Sequence, residues 1–223
     1  MTAILGAPEA TKGQAARWVL DKAHTRGNPA YHDSLLATIV NAYYEVGEEE
    51  GVRADVALAQ AVKETAAFNF GGSVQPEQWN FAGVGATGPG VPGMSWPTIR
   101  DGARGHLRRL RMYAEGSDDI YDLEILQRPL PRQYWAAAPN VEDLGGRWAP
   151  SPDYGVSIVD DYLLPLGDTA EPTDWSDHWA AVSIQKVMSV GLMGVSEGGA
   201  FRPDDPVTRG QLAAILDRLG LLD

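Results

Sequence analysis

The sequence predicts a mainly helical α+β domain with a cleft, joined by a short linker to a small second helical module. Three observations carry that prediction: an apolar stripe at helical period across residues 31–49, a stretch between Gly71 and Pro97 too rich in Gly and Pro for a long helix, and a change of composition after Leu166. A chain of 223 residues with 44% hydrophobic content suits one domain of middling size with an appendage. The expected boundaries are a first domain over 1–166, a linker over 167–174 and a module over 175–223.

Residues 11–24 and 31–49 read as the first two helices. In the second, Leu35, Leu36, Ile39, Val40, Tyr43 and Val46 form one face that belongs in a core. Asp55 is placed to cap a third helix, in which Val56, Ala59, Val62 and Ala66 recur at roughly 3.6-residue spacing, with Glu64 near its C-terminal end. Gly83, Gly85, Gly88, Gly90 and Gly93 then punctuate short extended pieces, the place for a small β-lobe. Residues 97–115 form the next helix, and Arg100, Arg104, Arg108, Arg109 and Arg111 give it a basic face, read as solvated with room for an acidic ligand. Arg128-Pro-Leu-Pro-Arg132 makes a turn, 133–138 a short helix, and Tyr154 opens a last helix over 156–164.

Glu64 carries the chemistry. The C-terminal end of a helix is partially negative and Phe68 and Phe70 lie close by, so both the dipole and desolvation should raise its pKa above the roughly 4.3 of a free Glu. A carboxylic acid still protonated near neutral pH can protonate a leaving group. The ordinary alternative is a solvated Glu at a helix end.

The motifs around it decide between these readings. Gln60-Ala61, Lys63-Glu64-Thr65, Phe70-Gly71-Gly72, Asn80-Phe81-Ala82-Gly83 and Gly85-Ala86-Thr87-Gly88, followed by Gly145-Gly146-Arg147-Trp148-Ala149 and Asp153-Tyr154-Gly155, resemble the peptidoglycan-cleaving endo-β-N-acetylglucosaminidases (glycoside hydrolase family 73) from about residue 4 to 166. The resemblance implies a lysozyme-like fold with a small β-lobe, cleavage of wall glycan beside N-acetylglucosamine, Glu64 as general acid and a reaction assisted by Tyr154. One departure is Ala66, where a glycine often follows the Glu-Thr pair. Glycosidases normally use two carboxylates. Residues 78–100 contain neither Asp nor Glu, leaving Glu77, Asp101 and Asp153 as candidates at the margins. The substrate's own 2-acetamido oxygen is the preferred nucleophile, with Tyr154 orienting it; an inverting mechanism is the other course. Substrate contacts are assigned to Asn80, Phe81, Trp79, Gly83 and Trp148, with Trp96 behind them. A lytic transglycosylase or N-acetylmuramidase on the same architecture is the near alternative, and a non-catalytic wall-binding protein the distant one.

Residues 175–223 resemble a single surface-layer homology (SLH) repeat: helix, Gly-bounded loop, helix, with Thr208 placed to cap the second helix. The resemblance carries wall-polymer binding to Asp177, Gly191 and Arg209, the last offering its guanidinium fork to an anionic secondary wall polymer. The family's usual Ala-Glu after that Arg is Gly210-Gln211. Such repeats commonly work in threes, so self-association is an expectation.

Composition excludes other classes. A formal net charge of −12, from 30 acidic and 18 basic residues, opposes general nucleic-acid binding. The sequence has no cysteine, and His24, His32, His106 and His178 form no metal-binding pattern, so no metal or cofactor is expected. No apolar run approaches the length of a membrane span, and the first residues lack the features of a signal peptide. The expected setting is therefore the bacterial cell wall, reached as a holin-released phage lysin or as a mature secreted form.

Overall fold

Thr11 and Gln14 satisfy each other's backbone at the start of helix α1 (Lys12–Arg26): the Thr11 hydroxyl accepts from Gln14 N at 3.1 Å and Gln14 Oε1 accepts from Thr11 N at 2.9 Å. Helix α2 (Asp33–Glu50) starts on His32, whose Nδ1 accepts from Leu35 N, and stops at Gly51 in the left-handed region. Its buried residues Leu36, Ile39, Val40, Tyr43 and Val46 are the expected stripe, and Leu35 is half-buried. The computed structural model describes residues 1–86, 88, 90–169, 174–175, 178–189, 192–194 and 200–221. They form a mainly helical chain that divides into two compact units, Met1–Thr169 and Ala170–Asp223.

Helix α3 (Ala54–Glu64) is the axis of the first unit, buried on every side from Ala54 to Val62 and packed against α1, α2 and α4 (Ile99–Glu115). Asp55 does not cap it. Its carboxylate lies in the first turn, paired with Arg53 at 2.8 Å and accepting from Glu9 N and Ala10 N, so it ties the preceding loop down. At the other end the chain turns sharply. Ala66, Ala67 and Phe68 adopt φ of 51°, 57° and 59° in succession, a left-handed run that costs side-chain-bearing residues about 1 kcal/mol or more apiece. Thr65 holds the run together: its hydroxyl donates to Ala61 O and accepts from Phe68 N, while Ala67 N donates to Val62 O at 2.7 Å. At Ala66 a glycine would take the same φ without that cost.

The segment between Gly71 and Pro97 contains a 3-10 turn (Pro76–Gln78) and other turns, and no strand among its described residues. Among the described residues no paired strands form there: single backbone hydrogen bonds, Met94 N to Val84 O at 2.8 Å and Trp96 N to Gln78 O at 2.9 Å, cross the segment and side chains supply further links. Asn80 donates to Val84 O and Met94 O and accepts from Val84 N, and Gln78 Nε2 donates to Pro92 O at 2.7 Å. Among the described residues, bridges between extended backbone segments join Ala3 with Asn140, Leu5 with Val52, and Gly145 with Ala149. The loop seats on α4 through two glycines. A Cβ on Gly102 would meet Trp79 O at 2.0 Å, and one on Gly105 would meet the Trp96 ring at 2.5 Å.

After α4 come α5 (Leu123–Leu126), a 3-10 turn at Arg132–Tyr134 where a short helix was expected, and another at Val141–Leu144. The expected last helix is split into α6 (Tyr154–Ile158), a π-helical turn (Val159–Leu163) and α7 (Leu164–Gly167), all continuous. In the second unit the described helices are α8 (Ala181–Ser189) and α9 (Arg209–Arg218). The Thr208 hydroxyl accepts from Gln211 N, the expected cap, and the Asp174 carboxylate accepts from Phe201 N and Arg202 N.

Candidate active site

Five side chains from four helices form a chain of hydrogen bonds ending at Glu64. The Tyr154 hydroxyl donates to Glu64 Oε1, Gln60 Nε2 donates to the Tyr154 oxygen at 2.8 Å, His106 Nε2 lies 2.9 Å from Gln60 Oε1, and the Tyr43 hydroxyl lies 2.8 Å from His106 Nδ1. One assignment of hydrogens satisfies every link. Tyr43 donates to Nδ1, the Nε2–H of a neutral His106 donates to Gln60, and each further donor points toward Glu64. Burial pushes the His106 imidazole down to about 3, with the Arg109 charge acting in the same direction, so the ring stays neutral as the chain requires.

Glu64 is the last residue of α3, where its carboxyl leaves the helix beside Gly83. The residue is exposed, yet protein crowds one side of the carboxyl. Desolvation raises its pKa above the ordinary glutamate value, against the opposing pull of the Tyr154 hydrogen bond and the Lys63 ammonium. Tyr154 is buried, with its hydroxyl held well above the usual phenol range by desolvation and by the neighbouring Glu64 charge, so it acts as a neutral donor. Its placement depends on Gly155, where a Cβ would lie 2.0 Å from Val141 O; only a glycine lets α6 seat this closely on the 141–144 turn. Lys63 Nζ donates to Ser157 Oγ at 2.8 Å and lies over the Tyr154 and Tyr162 rings.

The other carboxyl oxygen, Oε2, faces Gly83, where a Cβ would stand 3.5 Å from it and φ is +63°. Gly83 also lines a pocket of about 320 Å³ shared with Tyr113, Tyr134, Trp148, Arg109 and Arg128. Trp148 is half-buried against His106 and Tyr113, at ring separations of 5.7 and 5.5 Å.

Several residues chosen from the sequence lie elsewhere. Phe81 is 1% exposed among Tyr43, Phe68 and Trp79, which removes it as a sugar platform. Asn80 is equally buried with its amide spent on the loop backbone, so it shapes the cleft wall and does not meet an acetamide. Trp79 stacks on Tyr31 at 5.5 Å and Trp96 is buried, its indole donating to Ile125 O. No second carboxylate joins Glu64: among the described residues, the groups acting on its charge are Tyr154 and Lys63. Asp101 is engaged by the Thr98 hydroxyl at 2.6 Å at the start of α4, Glu77 is exposed on the Pro76–Gln78 turn, and Asp153 is exposed just before α6. The basic face of α4 is internally neutralised. Arg100 and Arg104 pair with Glu45 and Glu49, and Arg108 grips the buried Glu50 with two bonds of 2.5 and 2.8 Å, so a ligand does not find a row of free cations.

Sequence reasoning missed Gln60, His106 and Tyr43 as parts of the site. A signal existed for Gln60, the polar residue within the otherwise apolar or small run from Val56 to Val62; His106 and Tyr43 carry none that separates them from ordinary core residues. No group of three or more His, Cys, Asp or Glu among the described residues could hold a metal ion, and no described helix is long and apolar enough to cross a membrane.

Residues 173–213 match the S-layer homology domain family. An S-layer homology domain implies association with the cell surface or wall and points to wall polymers as its ligands. Of the three polymer-binding residues taken from the sequence, Arg209 is exposed at the first position of α9, and Asp177 and Gly191 lie outside the described residues. An uncharacterized protein of Borreliella burgdorferi is 34% identical over 125 residues, which is 55% of this chain and 59% of that protein. The chain thus spans about three-fifths of the relative's length. No solved structure matches.

Proposed function

We propose that the first unit is a peptidoglycan hydrolase of the endo-β-N-acetylglucosaminidase type, held at the wall by its S-layer homology domain, with Glu64 as general acid. The observation that supports this reading is the Glu64–Tyr154 pair: a carboxyl at the end of α3 beside Gly83, its pKa raised by desolvation, with one oxygen taken by a neutral phenol. Tyr154 on Oε1 leaves Oε2 to carry the acidic proton on the side of Gly83, where the absence of a side chain gives a glycosidic oxygen room to approach.

A mechanism with a single acid fits a Glu64 on which, among the described residues, Tyr154 and Lys63 act and no second carboxylate does. The 2-acetamido carbonyl oxygen of the substrate attacks its own C1, the C1–O bond breaks, and Glu64 delivers its proton to the leaving oxygen. Water then opens the resulting oxazolinium ion, which keeps its N–H proton, at C1 and returns a proton to Glu64. Tyr154 positions the acid in this scheme; its hydroxyl is spent on Gln60 and Glu64 and does not reach the acetamide. The same single-acid arrangement also serves a lytic transglycosylase, in which the muramyl 6-hydroxyl replaces water. The enclosed helix α3, ending at the acid, supports a lysozyme-like frame in which the turn-rich 71–97 segment stands where the β-lobe would be.

The test is a digest of purified peptidoglycan by wild type and Glu64→Gln, with borohydride reduction and mass spectrometry of the products. Reducible N-acetylglucosamine ends from wild type, with a rate lower by about 10²–10⁴ in the variant, is the expected result. Anhydromuramic ends would make the enzyme a transglycosylase, and undiminished turnover by Glu64→Gln would remove the acid.

A further inference from the structure

Arg109 is the exception among the arginines of α4. Its four neighbours in sequence, Arg100, Arg104, Arg108 and Arg111, each have a glutamate partner. Arg109 lies on the opposite face, 8% exposed, and among the described residues it pairs with no carboxylate. Its Nη2 donates to the backbone oxygen of Arg128 at 2.5 Å, and its buried Nε has no hydrogen-bond partner. Arg128, which brings a second positive charge toward it, lines the same pocket as Trp148, Tyr113 and Gly83. A buried guanidinium without a counter-charge is destabilising, and a second cation beside it adds to that cost. In a chain of net charge −12 that has found acids for the other four, this is the arrangement of a site whose anion arrives with the ligand.

We propose that the Arg109–Arg128 pocket is an anion subsite that takes a carboxylate of the peptide stem while the attached glycan lies across Gly83 toward Glu64. This assignment rests on the reading of Glu64 as acting on wall glycan, because Gly83 forms a wall of the pocket and also abuts Glu64 Oε2. A volume of about 320 Å³ is at the scale of a small ligand. Trp148 and Tyr113 supply an apolar wall and the two guanidinium groups supply the charge, so the pocket selects acidic over amidated muropeptides.

The experiment titrates full-length Glu64→Gln protein, in which turnover is blocked, with muramyl dipeptide carrying a free stem carboxylate and with its neutral amide, by calorimetry at low and high salt. The acid should bind at least tenfold more tightly than the amide, with the advantage shrinking as salt rises. Arg128→Ala, at an exposed side chain, should cut the advantage to less than twofold, and Arg128→Lys should restore part of it. Equal binding of acid and amide, an advantage that survives Arg128→Ala, or stronger binding of inorganic phosphate than of the acid would each overturn the subsite. A wild type that digests no wall glycan yet prefers the acid would defeat the hydrolase and leave the subsite standing.

Discussion

The two units differ in where their polar and apolar groups find partners. In Met1–Thr169, Glu50 is buried within reach of three arginines, Asp55 is buried on Arg53, and a five-residue hydrogen-bond chain runs through the interior to Glu64. In Ala170–Asp223, α9 buries no residue, while Trp179, Val207, Leu212, Leu219 and Leu221 are exposed, and Trp175 and Ile184 are the large apolar side chains buried among the described residues. The first unit has enough interior to hold charges at fixed positions, which a general acid requires. The second relies on local devices, the Thr208–Gln211 capping box and the Asp174 carboxylate, and presents apolar surface outward. A module of that size is marginal on its own core, so a bound ligand supplies a larger share of its stability than it does in the first unit.

The largest expected effect tests whether the first unit truly depends on its buried charges. Glu50→Ala leaves Arg108 without its two-point partner and removes the contacts of Arg104 and Arg111 at 3.8 and 3.6 Å. Breaking such a pair by deleting one member should cost roughly 3 kcal/mol, read as a lower urea midpoint for the first unit with the second unit's transition unmoved. An unchanged midpoint would show that the α2–α4 seam is held by its apolar residues alone, and would erase the contrast between the units.

A smaller effect, of about tenfold, is expected from deleting residues 174–223. Sedimentation with wall sacculi should fall by that factor while cleavage of soluble glycan persists, because the acid and its supporting chain all lie in the first unit. Undiminished sedimentation would make the second unit a structural appendage and shift wall binding to the cleft.

The helices were legible in the sequence because their causes are local. The Thr11 and Thr208 caps, the α2 stripe and the glycine bounding α2 each depend on neighbours a few positions away. The position of Glu64 at the end of α3 was legible for the same reason; the direction of its pKa shift agrees with the expectation, whereas Phe68 and Phe70 make their ring contacts with Tyr31 and Phe81. The turn-rich segment was misread because glycine spacing predicts where a chain bends, whereas the carbonyls that Asn80 and Gln78 would satisfy cannot be seen from spacing. The basic face of α4 was misread because its neutralising glutamates sit on another helix about 50 positions upstream. Aromatic residues beside glycines looked available to a sugar, but Phe81 is enclosed by Tyr43 and Phe68, residues distant in sequence.

The smallest effect sharpens the comparison at the acid itself. Lys63 favours the Glu64 carboxylate and so holds the pKa lower than burial alone would set it. Lys63→Met should therefore raise that pKa further. A general acid works only while protonated, so the alkaline limb of the rate profile moves to higher pH in the variant. Stability carries the matching sign. With the folded pKa above the unfolded one, the folded state binds the extra proton in that window, so stability falls as pH rises through it, and Lys63→Met extends the window upward. Tyr154→Phe also removes a force that favours the carboxylate and moves the limb in the same direction, but it frees Oε1 from its anchor, so its maximal rate drops as well. Paired pH profiles of the two variants separate the roles: a shift with the maximal rate retained marks Lys63 as an electrostatic neighbour, and a shift with the rate lost marks Tyr154 as the residue that aims the acid. A Lys63→Met limb that stays in place or moves toward lower pH would mean that Glu64 is not the group whose protonation governs the rate.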